Sequence, residues 1–281
     1  MDSQVWPREA ERFQFGANWS RFLHVLTDER IAQAEASLLD MLGTQSLNGR
    51  DFLDIGCGSG LFSLAARRLG GKVRSFDFDA LSVACTEELK RRYFVDDSAW
   101  SVSEGSVLDA GYMQSLGRFD IVYSWGVLHH TGAMWTALDN ACRAVAPGGS
   151  LFVALYNDQG ARSVWWAHVK RVYNRLPAVL RPAYTLAFGV ALEGGALALA
   201  LVRLRPRQLV DRWTKYESVR GMSRWHDIVD WIGGYPFEVA SPEAVFDFCR
   251  ARDLTLVRLK TCGGKMGCNE FVFVRDPAGH S

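Results

Sequence analysis

The sequence predicts an α/β protein built on a doubly wound sheet, and three observations carry that prediction. Asp51 to Gly60 reads D-F-L-D-I-G-C-G-S-G, an apolar strand (Phe52, Leu53, Ile55) running into Gly56, Gly58 and Gly60. Leu61, Leu64, Ala65 and Leu69 then recur at helical spacing as far as Gly70, which closes the helix. Beyond that unit, apolar runs at 72–78, 99–104, 119–122 and 150–156 alternate with helical patterns at 80–93 and 135–145. Such alternation is the signature of strands joined by helical crossovers.

Residues 1–45 precede the sheet. Phe13, Phe15, Trp19 and Phe22 cluster there, and a helix is predicted from Asp28 to Leu42, with Asp28 at its start and Gly43 as its stop. The loop at 56–60 comes next. Its glycines permit positive φ and bare backbone approach, and the helix behind it offers unpaired N–H groups, so the unit is fit to cradle a nucleotide. A dinucleotide fingerprint would need glycine where Leu61 stands. The pattern is instead acid-x-Gly-x-Gly-x-Gly, with Asp54 as the acid.

The second strand, Lys72 to Phe78, ends in F-D-F-D. Asp77 lies 23 positions beyond Asp54, close to the roughly 20-residue offset of nucleotide folds. A carboxylate there suits the two adjacent hydroxyls of a ribose, while Asp79 is placed to cap the helix from Ala80 to Tyr93. A third strand, Ala99 to Glu104, leads into Gly105-Ser106-Val107-Leu108-Asp109. The run F-D-I-V-Y-S-W-G-V-L-H-H-T-G, from Phe119 to Gly132, supplies a fourth, with Ser124, Trp125 and Gly126 at its carboxyl end, where open α/β sheets put their ligands. Helix Trp135 to Val145 and Pro147-Gly148-Gly149 precede strand Ser150 to Tyr156. At the other end of the chain, Ser241 and Pro242 open a helix to Ala251. Strands Leu254 to Lys260 and Asn269 to Arg275 follow, joined by C-G-G-K-M-G-C, a hairpin loop because no helix comes after it.

These motifs, in this order, resemble those of class I S-adenosylmethionine methyltransferases, over roughly residues 48–158 and the tail. Among named groups the resemblance is to the broad quinone-biosynthesis-like and small-molecule methyltransferases. It implies a seven-stranded, mostly parallel sheet with an antiparallel last strand, and a helical cap inserted after strand five. The implied division is an N-terminal helical flap at 1–45, a core at 46–158, a cap at 159–237 that binds the acceptor, and a closing helix and hairpin at 238–281. The implied cofactor is S-adenosyl-L-methionine. Its contacts would be Asp54, Gly56, Cys57, Gly58 and Gly60, then Asp77 and Phe78, then Ser106 and Val107 at the adenine, and Ser124, Trp125 and Gly126. Asp54 would order the glycine loop and meet the methionyl end. Ser106 stands where the family commonly has an acid that accepts from the adenine amino group, so its hydroxyl or a backbone carbonyl would replace it, with Asp109 as the lesser substitute.

Methyl transfer from a sulfonium is an in-line displacement, so placing the acceptor comes first and a proton-removing base second. His129 is the base candidate, or else a histidine that satisfies backbone groups at a helix start. Asp158 orients an acceptor or only begins the next helix. His226, with Asp230 on the same helix face, makes a base and its orienter or a surface pair. Trp19, Phe22, His130, Tyr156 and Trp225 are the expected acceptor contacts, Trp19 and Phe22 through a flap that equally reads as core packing.

Composition narrows the partners. With 281 residues and a net charge of +1, the chain suits a small-molecule acceptor and not a nucleic acid. The six cysteines, at 57, 85, 142, 249, 262 and 268, contain no C-x-x-C pair. No zinc spacing and no metal site is expected. Cys262 and Cys268 can approach each other across a loop, but reduced thiols and a cytoplasmic location are the expectation, since Met1-Asp2-Ser3-Gln4 opens no signal pattern. Ala183 to Val202 is apolar apart from Glu193. Glu193-Gly194-Gly195 reads as a turn between two short helices, which favours a lid, a homo-oligomer contact or a peripheral membrane patch over a span. The expected activity is methylation of a small molecule, foremost at a hydroxyl. The rivals are N- or C-methylation of a metabolite, a quinone-like or glycan acceptor, and a non-catalytic cofactor-binding scaffold.

Overall fold

The computed structural model describes residues 23, 26–202, 224–264 and 267–277; within these, the side chains of 192, 193, 195–202, 224–227 and 230 lie outside the description. The described chain divides into two compact units, with breaks at Val164/Trp165 and Pro236/Phe237.

The larger unit is a seven-stranded sheet in the order β3-β2-β1-β4-β5-β7-β6. Its strands are β1 (Asp51–Ile55), β2 (Lys72–Asp77), β3 (Trp100–Glu104), β4 (Phe119–Trp125), β5 (Val145–Tyr156), β6 (Leu254–Lys260) and β7 (Cys268–Arg275). β1 to β5 pair in parallel, and β7 runs antiparallel to both of its neighbours. The strand order turns back between β1 and β4, so the crevice at their carboxyl ends is the topological switch point.

Side-chain alternation sends each strand's residues to two buried faces. On one face Leu53, Val122, Val153 and Phe271 pack with α5 (Met134–Arg143) and α9 (Pro242–Arg250). On the other, Phe52, Ile121, Tyr123 and Phe152 pack with α1 (Asp28–Leu42) and α2 (Leu61–Arg68). The helix starts follow local chemistry. Asp79 caps α3 (Ala80–Tyr93) by accepting from the Leu81 N–H at 2.9 Å, and Ser241 caps α9 at Pro242.

Two local expectations are corrected. Asp109 caps a short helix, α4 (Ala110–Leu116), where none was expected, because its carboxylate accepts the Tyr112 N–H at 3.0 Å. β5 begins at Val145, which pairs with Phe119, so Pro147-Gly148-Gly149 lies inside the strand at a register shift. Gly149 is required there, since a Cβ would meet the Phe119 and Ala146 carbonyl oxygens at 2.9 Å.

The smaller unit holds most of α6 (Ala161–Arg175), then α7 (Arg181–Val202) and α8 (Arg224–Gly233). Its interior is aromatic, with the Trp166 and Trp231 rings edge to face at 5.5 Å. Lys170, fully buried, donates to the Trp231 carbonyl and lies 4.5 Å from that ring's centroid. Asn174 donates to the Gly233 carbonyl at 2.7 Å and so satisfies the end of α8. α7 runs unbroken through Glu193-Gly194-Gly195, which corrects the expected turn. Each glycine costs a helix only about 1 kcal/mol relative to alanine, and the alanines and leucines on both sides are strong helix formers. Among the described residues no helix is long and apolar enough to cross a membrane.

Candidate active site

The glycine loop is tied down from three directions. The Gly56 and Cys57 N–H groups both donate to the Phe76 carbonyl, at 2.9 and 3.1 Å, which anchors the loop to the end of β2. The Thr86 hydroxyl of α3 bonds the Cys57 Sγ at 3.2 Å and the Gly58 carbonyl at 3.3 Å. Gly60 sits at φ +79°, and a Cβ on it would press on the Thr86 backbone at 3.0 Å. Only glycine fits this join between loop and helix.

Asp77 completes the loop. Its Oδ2 accepts the Gly58 N–H and its Oδ1 the Asp79 N–H, both at 2.9 Å. Burial pushes its pKa up to about 6, against the lowering effect of those two N–H groups. A carboxylate has about four lone-pair sites, so this half-buried side chain retains acceptor capacity for ligand hydroxyls.

Asp54 points elsewhere. It is 2% exposed, its Oδ2 accepts from the Ser63 hydroxyl, and Ser63 meets Ser75 at 2.7 Å, which in turn takes the Trp100 indole N–H at 3.0 Å. Burial raises the Asp54 pKa to about 7; the Ser63 bond opposes this and the Asp77 charge adds to it. Asp54 therefore fastens α2 to the sheet from within the core.

Exposed apolar side chains stand near the carboxyl ends of the strands. Phe78 after β2, Leu81 in the first turn of α3 and Trp125 at the end of β4 are 52%, 51% and 44% exposed. After β4, a 3-10 turn at Leu128–His130 carries the two histidines. His129 is fully buried, its ring 3.8 Å from that of Tyr156, and its Nδ1 accepts the Tyr156 N–H at 3.3 Å. That bond sets the tautomer with the proton on Nε2. His130 is half-buried beside it, its ring 5.4 Å from Tyr156. Glu238 locks the turn: its N–H donates to the His129 carbonyl at 2.9 Å and its carboxylate accepts the Met134 N–H at 3.0 Å. Because Ala133 offers α5 no side-chain cap, Glu238 serves as the cap from 104 residues away. Burial raises its pKa, opposed by the N–H groups of Met134 and Gly132.

A family model described as a methyltransferase domain matches residues 26–185. The chain belongs to that methyltransferase-domain family. Curated relatives carry the name ubiquinone biosynthesis O-methyltransferase. That of Methylobacterium sp. (strain 4-46) is 31% identical over 162 residues, covering 53% of this chain and 63% of the relative. That of Xanthomonas oryzae pv. oryzae (strain PXO99A) is 33% identical over 138 residues, covering 48% of this chain and 52% of the relative. The chain thus spans between half and two thirds of the length of these relatives. In fold it is similar to magnesium protoporphyrin IX methyltransferase from Synechocystis PCC 6803, solved with bound SAM, at a TM-score of 0.54 and 10% identity, covering 98% of this chain and 100% of that one.

Within this methyltransferase domain, the structure brings Gly56, Gly58, Gly60 and Asp77 together, with Phe78 next in line, and sets Trp125 and Gly126 at the end of β4. It corrects others. The side chains of Cys57, Val107 and Ser124 point inward, at 8%, 6% and 0% exposure. Cys57 takes the Thr86 hydroxyl, the Val107 carbonyl takes the Asn140 amide at 2.8 Å, and Ser124 donates to the Ile55 carbonyl at 3.1 Å. Ser106 uses its hydroxyl on the Leu108 N–H at 3.2 Å, shaping the loop after β3. Asp158 is exposed and accepts the Gly160 N–H at 2.8 Å, so it shapes the entry to α6. The buried His129 lies against the half-buried Tyr156 ring and accepts the Tyr156 N–H, which gives His129 the backbone-satisfying role.

Trp19 and Phe22 lie outside the described residues, as do the side chains of Trp225, His226 and Asp230. Ser63, Thr86 and Glu238 are functional supports that the sequence reading missed. Ser63 and Ser75 lie on the helix and strand that follow the loop, and their small polar side chains at core positions were the available signal. Nothing local marks Glu238. Among the described residues no cluster of three or more His, Cys, Asp or Glu side chains is arranged to hold a metal.

Proposed function

We propose that this chain binds S-adenosyl-L-methionine in the crevice at Gly56–Gly60 and Asp77 and transfers its methyl group to a small-molecule hydroxyl. The observation that carries the reading is the Asp77 junction, where one carboxylate organises the glycine loop and keeps acceptor capacity beside it. Asp77 receives the ribose hydroxyls, and Phe78 and Leu81 offer apolar surface to the adenine. The bound sulfonium supplies the electrophilic methyl. The protein's part is to orient the acceptor and exclude water. Trp125 supplies a flat apolar wall at the end of β4, and the His130 imidazole, on a turn held by Glu238, receives the acceptor proton. The names of the curated relatives support an oxygen acceptor on a lipophilic, quinone-like ring.

The exposed Leu186 and Val190 of α7, 58% and 63% accessible, support a surface contact through 183–202, with a lipid surface or a second copy. All six cysteines stand as thiols, which supports a cytoplasmic location. Calorimetric titration with S-adenosyl-L-methionine and S-adenosylhomocysteine tests the cofactor: saturable binding is expected, and none would refute the reading. Labelled S-adenosyl-L-methionine with cell extract, followed by mass spectrometry, tests turnover. Binding without any methylated product would instead mark a cofactor-binding scaffold.

A further inference from the structure

The hairpin of β6 and β7 carries two thiols that the site does not use. Lys260 pairs with Glu270 across the antiparallel ladder, and the same register carried two residues on sets Cys262 opposite Cys268. The Cys262 N–H is turned to the Asn269 Oδ1 at 3.1 Å. Gly267 accepts the Asn157 N–H on the β5 side, so Cys268, like Glu270, turns its backbone to β6, at a position where facing residues lie about 5.5 Å apart at Cα, within the roughly 4.4–6.8 Å that a disulfide spans. Two further observations place Cys262 beside this stretch of the chain. A Cβ built on Gly267 would lie 3.4 Å from the Cys262 Cβ. The Cys268 thiol, pushed up to about 12 by burial, also feels the charges of Glu270 and Cys262. Both residues are half-buried. Cys268 also pairs with Tyr156, whose ring lies against His129, so the hairpin end adjoins the candidate site.

We propose that Cys262 and Cys268 form a peroxide-oxidisable dithiol that closes into a disulfide across the base of this hairpin's loop. The Cys262 sulfur attacks hydrogen peroxide, its O–O bond breaks, and a sulfenic acid and hydroxide result. The Cys268 thiol gives its proton to that hydroxide and attacks the Cys262 sulfur; the S–S bond forms, the S–O bond breaks, and the departing hydroxide takes up the proton Cys262 gave up. Two thiols and one peroxide thus become one disulfide and two waters. The order follows from Cys268, which its surroundings keep protonated and therefore a poor first nucleophile. In a reducing compartment such a pair serves as a redox sensor and not as a structural staple.

The test uses the full-length protein, with and without hydrogen peroxide, alkylated by iodoacetamide and digested with trypsin. Cleavage after Lys265 separates Cys262, on peptide 261–265, from Cys268, on peptide 266–275. After peroxide, the two peptides are expected as one linked species, lighter by two hydrogens than their sum and resolved into two by dithiothreitol. In Cys262→Ser the linked species is lost and Cys268 is recovered alkylated. Recovery of both peptides separately from oxidised wild-type protein, alkylated or over-oxidised, would overturn the proposal, as would linkage of either to another cysteine.

Discussion

The Asp77 carboxylate accepts the Gly58 N–H at 2.9 Å, across the junction of two strand ends. With the Asp79 N–H on its other oxygen, Asp77 fixes the middle of the glycine loop and the start of α3 together. A residue assigned to a ligand is thereby also a residue that shapes the ligand's cradle.

Asp77→Ala should weaken S-adenosyl-L-methionine binding by about 10- to 100-fold, the loss of one or more hydrogen bonds to a charged group at about 1.5–3 kcal/mol each. Calorimetry of a variant with an unchanged far-ultraviolet spectrum checks this. Since ribose hydroxyls donate to the ionised form and the carboxyl titrates at about 6, wild-type affinity should fall as pH drops through about 6. Affinity that is flat from pH 8 to 5 would contradict the assignment.

Asp54 makes a prediction about stability. Its folded pKa of about 7 lies above the ordinary value of 3.8. The folded state then holds a proton that the unfolded state has released, so stability from this group falls as pH rises between those values. Asparagine removes that titration. Urea denaturation of wild type and Asp54→Asn should show the two stabilities diverging from pH 4 to 7, with the wild type declining relative to the variant.

Gly60→Ala should destabilise the fold by about 1–3 kcal/mol, the usual range for a side chain forced into an unfavoured backbone region. Gly60 sits at φ +79°, with the Thr86 backbone 3.0 Å from the added carbon. Chemical denaturation reads the stability, and cofactor titration should show a parallel loss of affinity. A stable variant with intact binding would contradict the account of the loop.

His129 and His130 should separate cleanly. His129→Ala leaves the half-buried Tyr156 N–H without its acceptor, which costs about 1–3 kcal/mol, so the midpoint of thermal unfolding should drop. His130→Ala should keep that midpoint and lower kcat once a methyl acceptor is in hand. The reverse pattern would return the base role to His129.

Glu238→Ala should cost about 1–2 kcal/mol, as for the loss of a helix cap, because the Met134 N–H loses its acceptor. Glu238→Gln, whose side-chain oxygen still accepts, should recover most of it. Equal losses in the two variants would show that charge, not capping, is what α5 requires.

Local chemistry carried most of the fold. Asp79, Ser241 and Pro242 announce their helices through side chains that act within three residues, and the strand periods follow from burial on both faces. Gly56 to Gly60 and Asp77 were legible for the same reason: backbone freedom and an acid at a set offset are properties of short stretches. Side-chain direction was not. Cys57, Val107 and Ser124 fall inside motif positions, yet the loops that carry Cys57 and Val107 and the pleat of β4 at Ser124 turn their side chains inward. The helical glycines of α7 were misread because a glycine pair signals a turn only when nothing around it favours a helix.

By itself, then, the sequence determined the doubly wound sheet, the glycine loop and the acid that serves it, because each rests on residues close together in the chain. Tertiary structure alone decided which histidine is enclosed, that Glu238 caps a helix 104 residues away, and that Asp54 turns into the core. Those outcomes depend on hydrogen-bond partners that only the folded sheet brings within 3 Å or so of each other.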